Sequence, residues 1–216
     1  MRAMQRPFVY VFPLCICPLL TAQDPSESKL GLFDLTPLAS YRSQMSVTFE
    51  SSVPGRSSRA VLDASPAYGF AFGIRIREQD VIEMKWSRQY SQVEIPDSSL
   101  TFARAQMTLN HFHCDFSHEY LLKHLALRPT PFIVASVGTT RMSNAVNSGS
   151  TNFSVGMGGG VKFFLSQHVG FRIQAEWLPT LVTTQGIAVC GDACIVHLSG
   201  TLASQAEVAI GPVFRF

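Results

Sequence analysis

The sequence predicts an all-β protein: a closed, up-and-down antiparallel transmembrane β-barrel of about eight strands, after an N-terminal signal peptide. Three observations predict this fold. Apolar and polar residues alternate with a period of two in one segment after another. These segments reach the roughly 9–11 residues that a tilted strand needs to cross a bilayer. The connections between them alternate between short and long, as the two rims of such a barrel require.

The N-terminus has the pattern of a secretory signal peptide. Two arginines precede an apolar run over 8–20, and small residues follow it near Ala22. A membrane anchor is the alternative, but the run is shorter than the roughly 18–20 residues of a spanning helix, and two prolines interrupt it. We therefore predict a signal peptide over 1–22 and a single barrel domain over 23–216.

Eight segments carry the alternating pattern. In the seventh, Phe171, Ile173 and Trp177 alternate with Arg172 and Glu176. An even number of strands places both termini at the same rim. The predicted strands are 33–50, 60–77, 81–91, 100–116, 131–142, 152–165, 169–178 and 204–216.

The fourth predicted strand changes its pattern part-way. Met107 and Leu109 are apolar on one parity, whereas Phe112 and Phe116 are apolar on the other. One extra residue in a strand shifts the parity of all that follow. We therefore expect a β-bulge near Asn110.

The connections follow the same scheme. Short polar turns occur at 78–80 and 166–168, and we expect them on the periplasmic rim. The connection 117–128 is longer than its position requires, and both an extended hairpin and a brief helical turn fit it. Longer segments rich in Ser, Gly, Asn and Pro, expected on the outer rim, are 51–59, 92–99, 143–151 and 183–203.

The last strand ends the chain on an aromatic residue. Val208, Ile210, Phe214 and Phe216 share the apolar parity, which Pro212 interrupts because it cannot donate to the sheet. This strand resembles the closing strand of bacterial outer-membrane barrels, which their assembly machinery recognises. The resemblance implies that Phe214 and Phe216 act as an assembly signal.

Five short motifs along successive strands resemble landmarks of the OmpA-like outer-membrane β-barrel domain family. They are FDLTP at 33–37, SPAYG at 65–69, WSRQ at 86–89, RP at 128–129 with Phe132, and GGGVK at 158–162. The resemblance covers essentially all of the mature chain. It implies residence in the bacterial outer membrane, contact with outer-membrane lipid and the barrel-assembly machinery, and a structural or adhesive surface role. It brings no substrate and no catalytic residues.

Charged residues on the inward parity are expected to fill the interior, because an eight-stranded barrel is only wide enough for side chains. Both signs are present, so mutual pairing is the simplest interpretation, and a conducting pore is the alternative. The predicted lumen charges are Arg42, Arg75, Glu83, Lys85, Arg104, Lys162, Arg172, Glu176, Glu207 and Arg215.

Two of the five cysteines lie in the signal peptide. Cys190 and Cys194 form a close pair in the last long loop, and in an exported protein this pattern predicts a disulfide. Free thiols and a metal site are the alternatives. Cys114, between phenylalanines, is expected to be a small buried or lipid-facing hydrophobic residue.

A histidine cluster is the only group that suggests enzymatic chemistry. His111, His113 and His118 lie close to Asp115 and Glu119 in the sequence. Residues of these types occur in metal sites and in hydrolytic dyads. Barrel enzymes that modify outer-membrane lipid use such residues, so a lipid-modifying enzyme remains an alternative. Since no nucleophile motif accompanies the cluster, we expect a polar band at the membrane interface instead. We predict no catalytic residue, no metal and no cofactor.

Two further functional classes are less consistent with the composition. A soluble lipocalin-like barrel points its large apolar residues inward, and the 16 phenylalanines are too many for such a lumen. A formal net charge of +2 shows no basic surplus for nucleic acid. The sequence is most consistent with an outer-membrane barrel of structural or surface-interaction role, with an extracellular ligand of the loops left unnamed.

Overall fold

The computed structural model describes residues 31–50, 57–95, 103–120, 129–144, 149–182, 186–190, 194–197 and 201–216. The predicted signal peptide and most of the connection 117–128 lie outside these ranges. Within them, no helix has the length and hydropathy that a membrane-spanning helix needs.

The described residues form twelve β-strands. They are β1 (Phe33–Arg42), β2 (Met45–Glu50), β3 (Ser57–Leu62), β4 (Ser65–Arg75), β5 (Asp80–Ile95), β6 (Ala103–Glu119), β7 (Pro129–Asn144), β8 (Ser150–Phe164), β9 (Val169–Val182), β10 (Gly186–Cys190), β11 (Cys194–His197) and β12 (Thr201–Arg215).

These strands form one closed antiparallel sheet. Around the barrel, β1 pairs with β4, β4 with β5, β5 with β6, β6 with β7, β7 with β8, β8 with β9, β9 with β12, and β12 with β1, which closes the circle. At one end of the barrel, β2 pairs with β3 and β3 with β5. In the barrel wall β1 with β2 forms one strand and β3 with β4 another, while β10 and β11 form a separate hairpin. The wall therefore has eight strands, which confirms the predicted fold class.

Apolar side chains face outward and charged side chains face inward. On β9, Phe171, Ile173 and Trp177 are exposed, whereas Arg172 and Glu176 between them are buried. The same alternation runs through the other barrel strands. An apolar exterior around a polar interior is the arrangement of a membrane barrel and the reverse of a soluble ligand-binding barrel.

The predicted bulge near Asn110 is wrong. Asn110 is the register partner of Arg88 on β5 and of Arg141 on β7, and the pairing continues without a shift on both sides. Met107 and Leu109 therefore stay on the inward parity and are buried inside the barrel. The sequence pattern changes there because the lumen itself changes from polar to apolar.

The parity shifts occur instead in the first two wall strands. Arg42 and Met45 both face inward although three positions separate them, and Ser65 and Leu62 do the same. Each predicted strand, 33–50 and 60–77, is thus interrupted by two residues, at 43–44 and 63–64. These interruptions turn Met45 and Leu62 into the lumen.

Both described ends of the barrel chain meet at one rim, here called the short-turn rim, with the turns 76–79 and 165–168. The Phe33 N–H donates to the Phe216 carbonyl at 3.1 Å, and the Phe216 N–H donates to the Phe33 carbonyl at 2.9 Å. The opposite, long-loop rim carries the longer connections. The two rims thus have the short and long connections that the sequence predicts.

The outward parity of β9 gives a test of how the barrel meets lipid. Ile173→Arg places a charge near the middle of the apolar belt and should reduce the free energy of unfolding by about 2–4 kcal/mol. Leu181→Arg, on the same face near the long-loop rim, should cost only about 0–1 kcal/mol. Urea unfolding of both variants in lipid vesicles measures the two losses of unfolding free energy. Equal losses would contradict the position of Ile173 in the middle of the apolar outer surface.

Candidate functional site

The lumen is the site toward which most of the described charged residues converge. Among the described residues, six buried cations and six buried anions face it. Nine of the ten predicted lumen charges are in this set, whereas the side chain of Arg104 lies outside the described residues. The cations are Arg42, Arg75, Lys85, Lys162, Arg172 and Arg215, and the anions are Asp34, Glu83, Asp115, Glu119, Glu176 and Glu207.

Lys162, on β8, forms the centre of the network near the short-turn rim. Its ammonium group donates to Glu119 at 2.7 Å, to Glu83 at 3.2 Å and to Asp34 at 3.3 Å. The side chain is fully buried. Because an isolated ammonium is costly to bury, these three carboxylates are what makes its position tolerable.

Two arginines neutralise the same carboxylates from the other side. Arg75 Nη2 donates to Glu119 Oε2 at 2.8 Å. Arg215, on the last strand, donates from Nε and Nη2 to the two oxygens of Asp34 at 2.8 and 3.1 Å. Such a paired geometry is the strongest arginine–carboxylate contact. The closing strand is therefore joined to the first strand through the lumen as well as through the sheet.

The network continues toward the middle of the barrel. Arg172 Nη1 donates to both oxygens of Glu83, at 2.8 and 2.6 Å, and its Nε donates to Gln174. The Gln174 amide then donates to Glu176 at 2.9 Å. Lys85 completes this part, since it donates to Glu176. The charges thus form one connected network across several strands.

Glycines on β8 let the neighbouring groups approach closely. A Cβ at Gly158 would lie 2.1 Å from the Ala175 carbonyl, and one at Gly160 would lie 2.7 Å from the Phe132 ring. The Phe132 ring occupies this space, with the Arg172 guanidinium 4.7 Å from its centre. Cation–π contact adds to the ion pairs there. These glycines therefore make room for the Phe132 ring and for the backbone of β9.

A second polar layer lies beyond the charge network. Arg42 donates to Glu207 and to the Ser87 hydroxyl. The ring nitrogens of His113 lie 3.0 Å from Ser136 Oγ and 2.8 Å from Ser154 Oγ, and His111 Nδ1 lies 3.1 Å from Thr140 Oγ1. Side-chain hydroxyls thus contact both nitrogens of His113 and one nitrogen of His111, whereas His111 Nε2 is buried without a hydrogen-bond partner among the described residues.

The histidine cluster is divided between two faces. His111 and His113 are inside the lumen with Asp115 and Glu119, so the expectation of an interface band is wrong for these four residues. Only His118 faces outward, where its Nδ1 lies 2.7 Å from Asp80 Oδ1. The cause is the unbroken register of β6, which keeps all odd positions inward. In the described part of the chain, no group of three metal-ligating side chains converges.

An apolar layer lies above the polar lumen toward the long-loop rim. It consists of buried residues from seven wall strands that contact one another across the barrel. Its members are Met45, Leu62, Val93, Met107, Leu109, Met142, Val182 and Ala203. Sequence reasoning missed this layer because it treated every inward position as polar. The reversed parity of Met107 and Leu109 was the available signal.

The hairpin β10–β11 carries the predicted cysteine pair. Cys190 and Cys194 are register partners at its tip, and His197 at its base pairs with Glu50 of β2. Directly opposed residues of an antiparallel pair have Cα atoms about 4.5–5.5 Å apart, within the range that a disulfide spans. Their side chains lie outside the described residues, so the disulfide stays a prediction. Cys114 is half-buried on the outward parity of β6.

No protein-family model and no curated protein matches the chain. Solved structures do. The outer membrane protein OprG from Pseudomonas aeruginosa matches with a TM-score of 0.64 and 12% identity over 86% of this chain and 96% of that one. AlkL, determined in DMPC bilayers by solid-state NMR, has a TM-score of 0.53 and 11% identity over 91% and 97%. Neisserial surface protein A has 0.51 and 13% over 85% and 97%.

The chain has the fold of a small bacterial outer-membrane β-barrel. The likeness extends over nearly the whole length of each matched protein, so it concerns the complete barrel and not a single hairpin. At these identities it establishes the fold and leaves the role to the residues of this chain. The outer-membrane location expected from the sequence agrees with this fold and with the apolar exterior.

The predicted disulfide between Cys190 and Cys194 can be tested directly. A disulfide between Cys190 and Cys194 closes a very short ring, which is worth about 2 kcal/mol on the loop-entropy estimate. Replacing both by Ser should leave membrane insertion unchanged but make the loop easier to cleave by external protease; Cys114→Ser is the matched control. Mass spectrometry of the non-reduced loop peptide gives the direct answer, and two free thiols after export would refute the pairing.

Proposed function

We propose that this protein is a non-conducting outer-membrane barrel with a structural or surface-interaction role. In this proposal the wall and the filled lumen form a stable membrane anchor. The functional surface is the long-loop rim, which faces the outside of the cell.

The observation that carries this proposal is the filling of the lumen. Arg42, Lys162 and Arg172 have an exposure of 0%, although arginine and lysine carry the longest charged side chains. A water-filled pore leaves its lining residues in contact with water, whereas here protein groups surround them. The apolar layer then covers the polar network on the side of the long-loop rim. Both features oppose the passage of ions.

The long-loop rim supports the surface-interaction part of the proposal. Strands β2 and β3 continue beyond the interruptions of the wall, and the β10–β11 hairpin is attached to β2 through His197 and Glu50. This end of the barrel therefore presents an extended sheet. Sheet and loops on a rigid scaffold are a common basis for recognition. The ligand or partner is unnamed.

The expected family and the expected partners are part of the same proposal. Membership of the OmpA-like barrel family is supported by the positions of its landmarks, since FDLTP forms the start of β1, SPAYG the start of β4, and GGGVK lies in β8. Outer-membrane lipid, and assembly machinery that recognises Phe214 and Phe216, are the proposed partners. Phe216 is 67% exposed on the outward face, where a binding factor would reach it.

We propose no enzymatic role. A hydrolytic histidine lies between a nucleophile and an acidic group that orients it. The two ring nitrogens of His113 contact two serine hydroxyls instead, and this residue is enclosed by the wall. A lipid substrate in the surrounding membrane does not reach it.

Conductance in a planar lipid bilayer tests the proposal. The mature protein, reconstituted and shown to be folded by heat-modifiability on a gel, should give no stepwise current above that of the lipid alone. Proteoliposome flotation establishes in the same preparation that the barrel has inserted. Regular conductance steps of the wild-type protein would contradict the filled lumen and favour a pore.

A further inference from the structure

A polar row interrupts the lipid-facing surface on three neighbouring strands. Arg88 on β5, Asn110 on β6 and Arg141 on β7 are direct register partners, and all three lie on the outward parity. Immediately beneath them, toward the short-turn rim, lie Trp86 and Phe112. The outward parity of β9, by comparison, consists of apolar residues along its whole length.

The height of this row follows from strand geometry. A second polar contact on the outer face, between Asp80 and His118, lies eight residues lower on β5 and marks the short-turn rim. At about 3.3 Å per residue and a tilt of about 40°, eight residues rise about 20 Å along the membrane normal. The apolar band of such barrels is about 25 Å tall. The row therefore lies within about 5 Å of the outer boundary of the hydrocarbon, from where long arginine side chains reach the lipid headgroups.

The side chains of the row are arranged to receive an anion. Arg88 Nε donates to Asn110 Oδ1 at 2.9 Å, and its guanidinium lies 5.7 Å from the centre of the Tyr90 ring, so its position is fixed. Arg141 stands on the other side of Asn110 and is half-buried. Guanidinium groups on both sides of one amide can together donate several N–H groups to the oxygens of a phosphate.

The surface around the row fits the rest of a lipid. A cleft of about 640 Å³ lies next to the row, on the side of the long-loop rim. Apart from the Asp63 carboxylate, its polar lining groups are uncharged. Among them are Gln92, Gln106, Thr108 and Ser143. Amides and hydroxyls of this kind bind the uncharged polar part of a headgroup. The aromatic surface below the row fits acyl chains.

We infer that Arg88, Asn110 and Arg141 form a binding site for the phosphate-bearing headgroup of one lipid in the outer leaflet. The site lies outside the lumen and is independent of the proposed surface role. The lipid is bound by its phosphate at the arginine row and by its chains along the outer faces of β5 and β6.

Lipid binding in nonionic detergent, measured by native mass spectrometry, tests this inference. Dipalmitoyl phosphatidic acid is the probe, and dipalmitoyl glycerol, which has the same chains without the phosphate, is the control lipid. Arg88→Gln and Arg141→Gln should each weaken binding of phosphatidic acid about fivefold, and the double variant on the order of 25-fold, since an arginine near a membrane anion contributes about 1 kcal/mol.

Arg77→Gln is the matched control variant, because Arg77 is exposed at the short-turn rim and its loss removes the same charge. Arg88→Lys should retain most of the binding, and heat-modifiability shows which variants are folded. Equal binding by wild-type, Arg88→Gln and Arg141→Gln would overturn the inference, as would equal binding of dipalmitoyl glycerol. Displacement of the lipid by an equal concentration of inorganic phosphate would also overturn it, in favour of a site for a free anion.

Discussion

Mutual neutralisation of the charges inside the barrel is the constraint on which the rest of the structure depends. An ammonium or guanidinium group enclosed by eight strands has no water to solvate it, so it must be paired. The described lumen meets this condition with six cations and six anions. Lys162 illustrates how closely the sequence is constrained, since one ammonium is placed between carboxylates from β1, β5 and β6. Strands far apart in sequence are thereby fixed in one register.

The apolar layer and the interruptions of the first two wall strands serve the same closed interior. Met45 and Leu62 join that layer only because the chain shifts parity at 43–44 and 63–64. An unbroken strand would turn these side chains toward the exterior. The charge network is therefore covered on the long-loop side by side chains that need no partners. A filled, layered lumen is difficult to reconcile with transport and easy to reconcile with a rigid anchor for surface loops.

The period of two was sufficient to predict the fold and most lumen charges, because parity alone assigns a face to each residue. Its failures have physical causes. Asp115 and Glu119 were expected in an interface band because no nucleophile motif accompanies them, but the unbroken register of β6 places them in the lumen. Met107 and Leu109 suggested a bulge because they belong to an apolar layer of the lumen. The interruptions at 43–44 and 63–64 were missed because partner strands, and not the local sequence, set the register. Asp34 lies on the regular inward parity of β1 and contacts Arg215, but the predicted lumen charges did not include it.

A double-mutant cycle on Glu83 and Arg172 tests the central claim most directly. Glu83→Gln and Arg172→Gln should each reduce the free energy of unfolding in vesicles by about 3–5 kcal/mol, because each deprives a buried charge of its closest partner. The double variant should cost far less than the sum. The pair Arg77 and Asp80 at the short-turn rim, in which Arg77 is exposed, should couple by only about 0–1 kcal/mol when measured in the same way. Additive effects at Glu83 and Arg172 would contradict a lumen held together by paired charges.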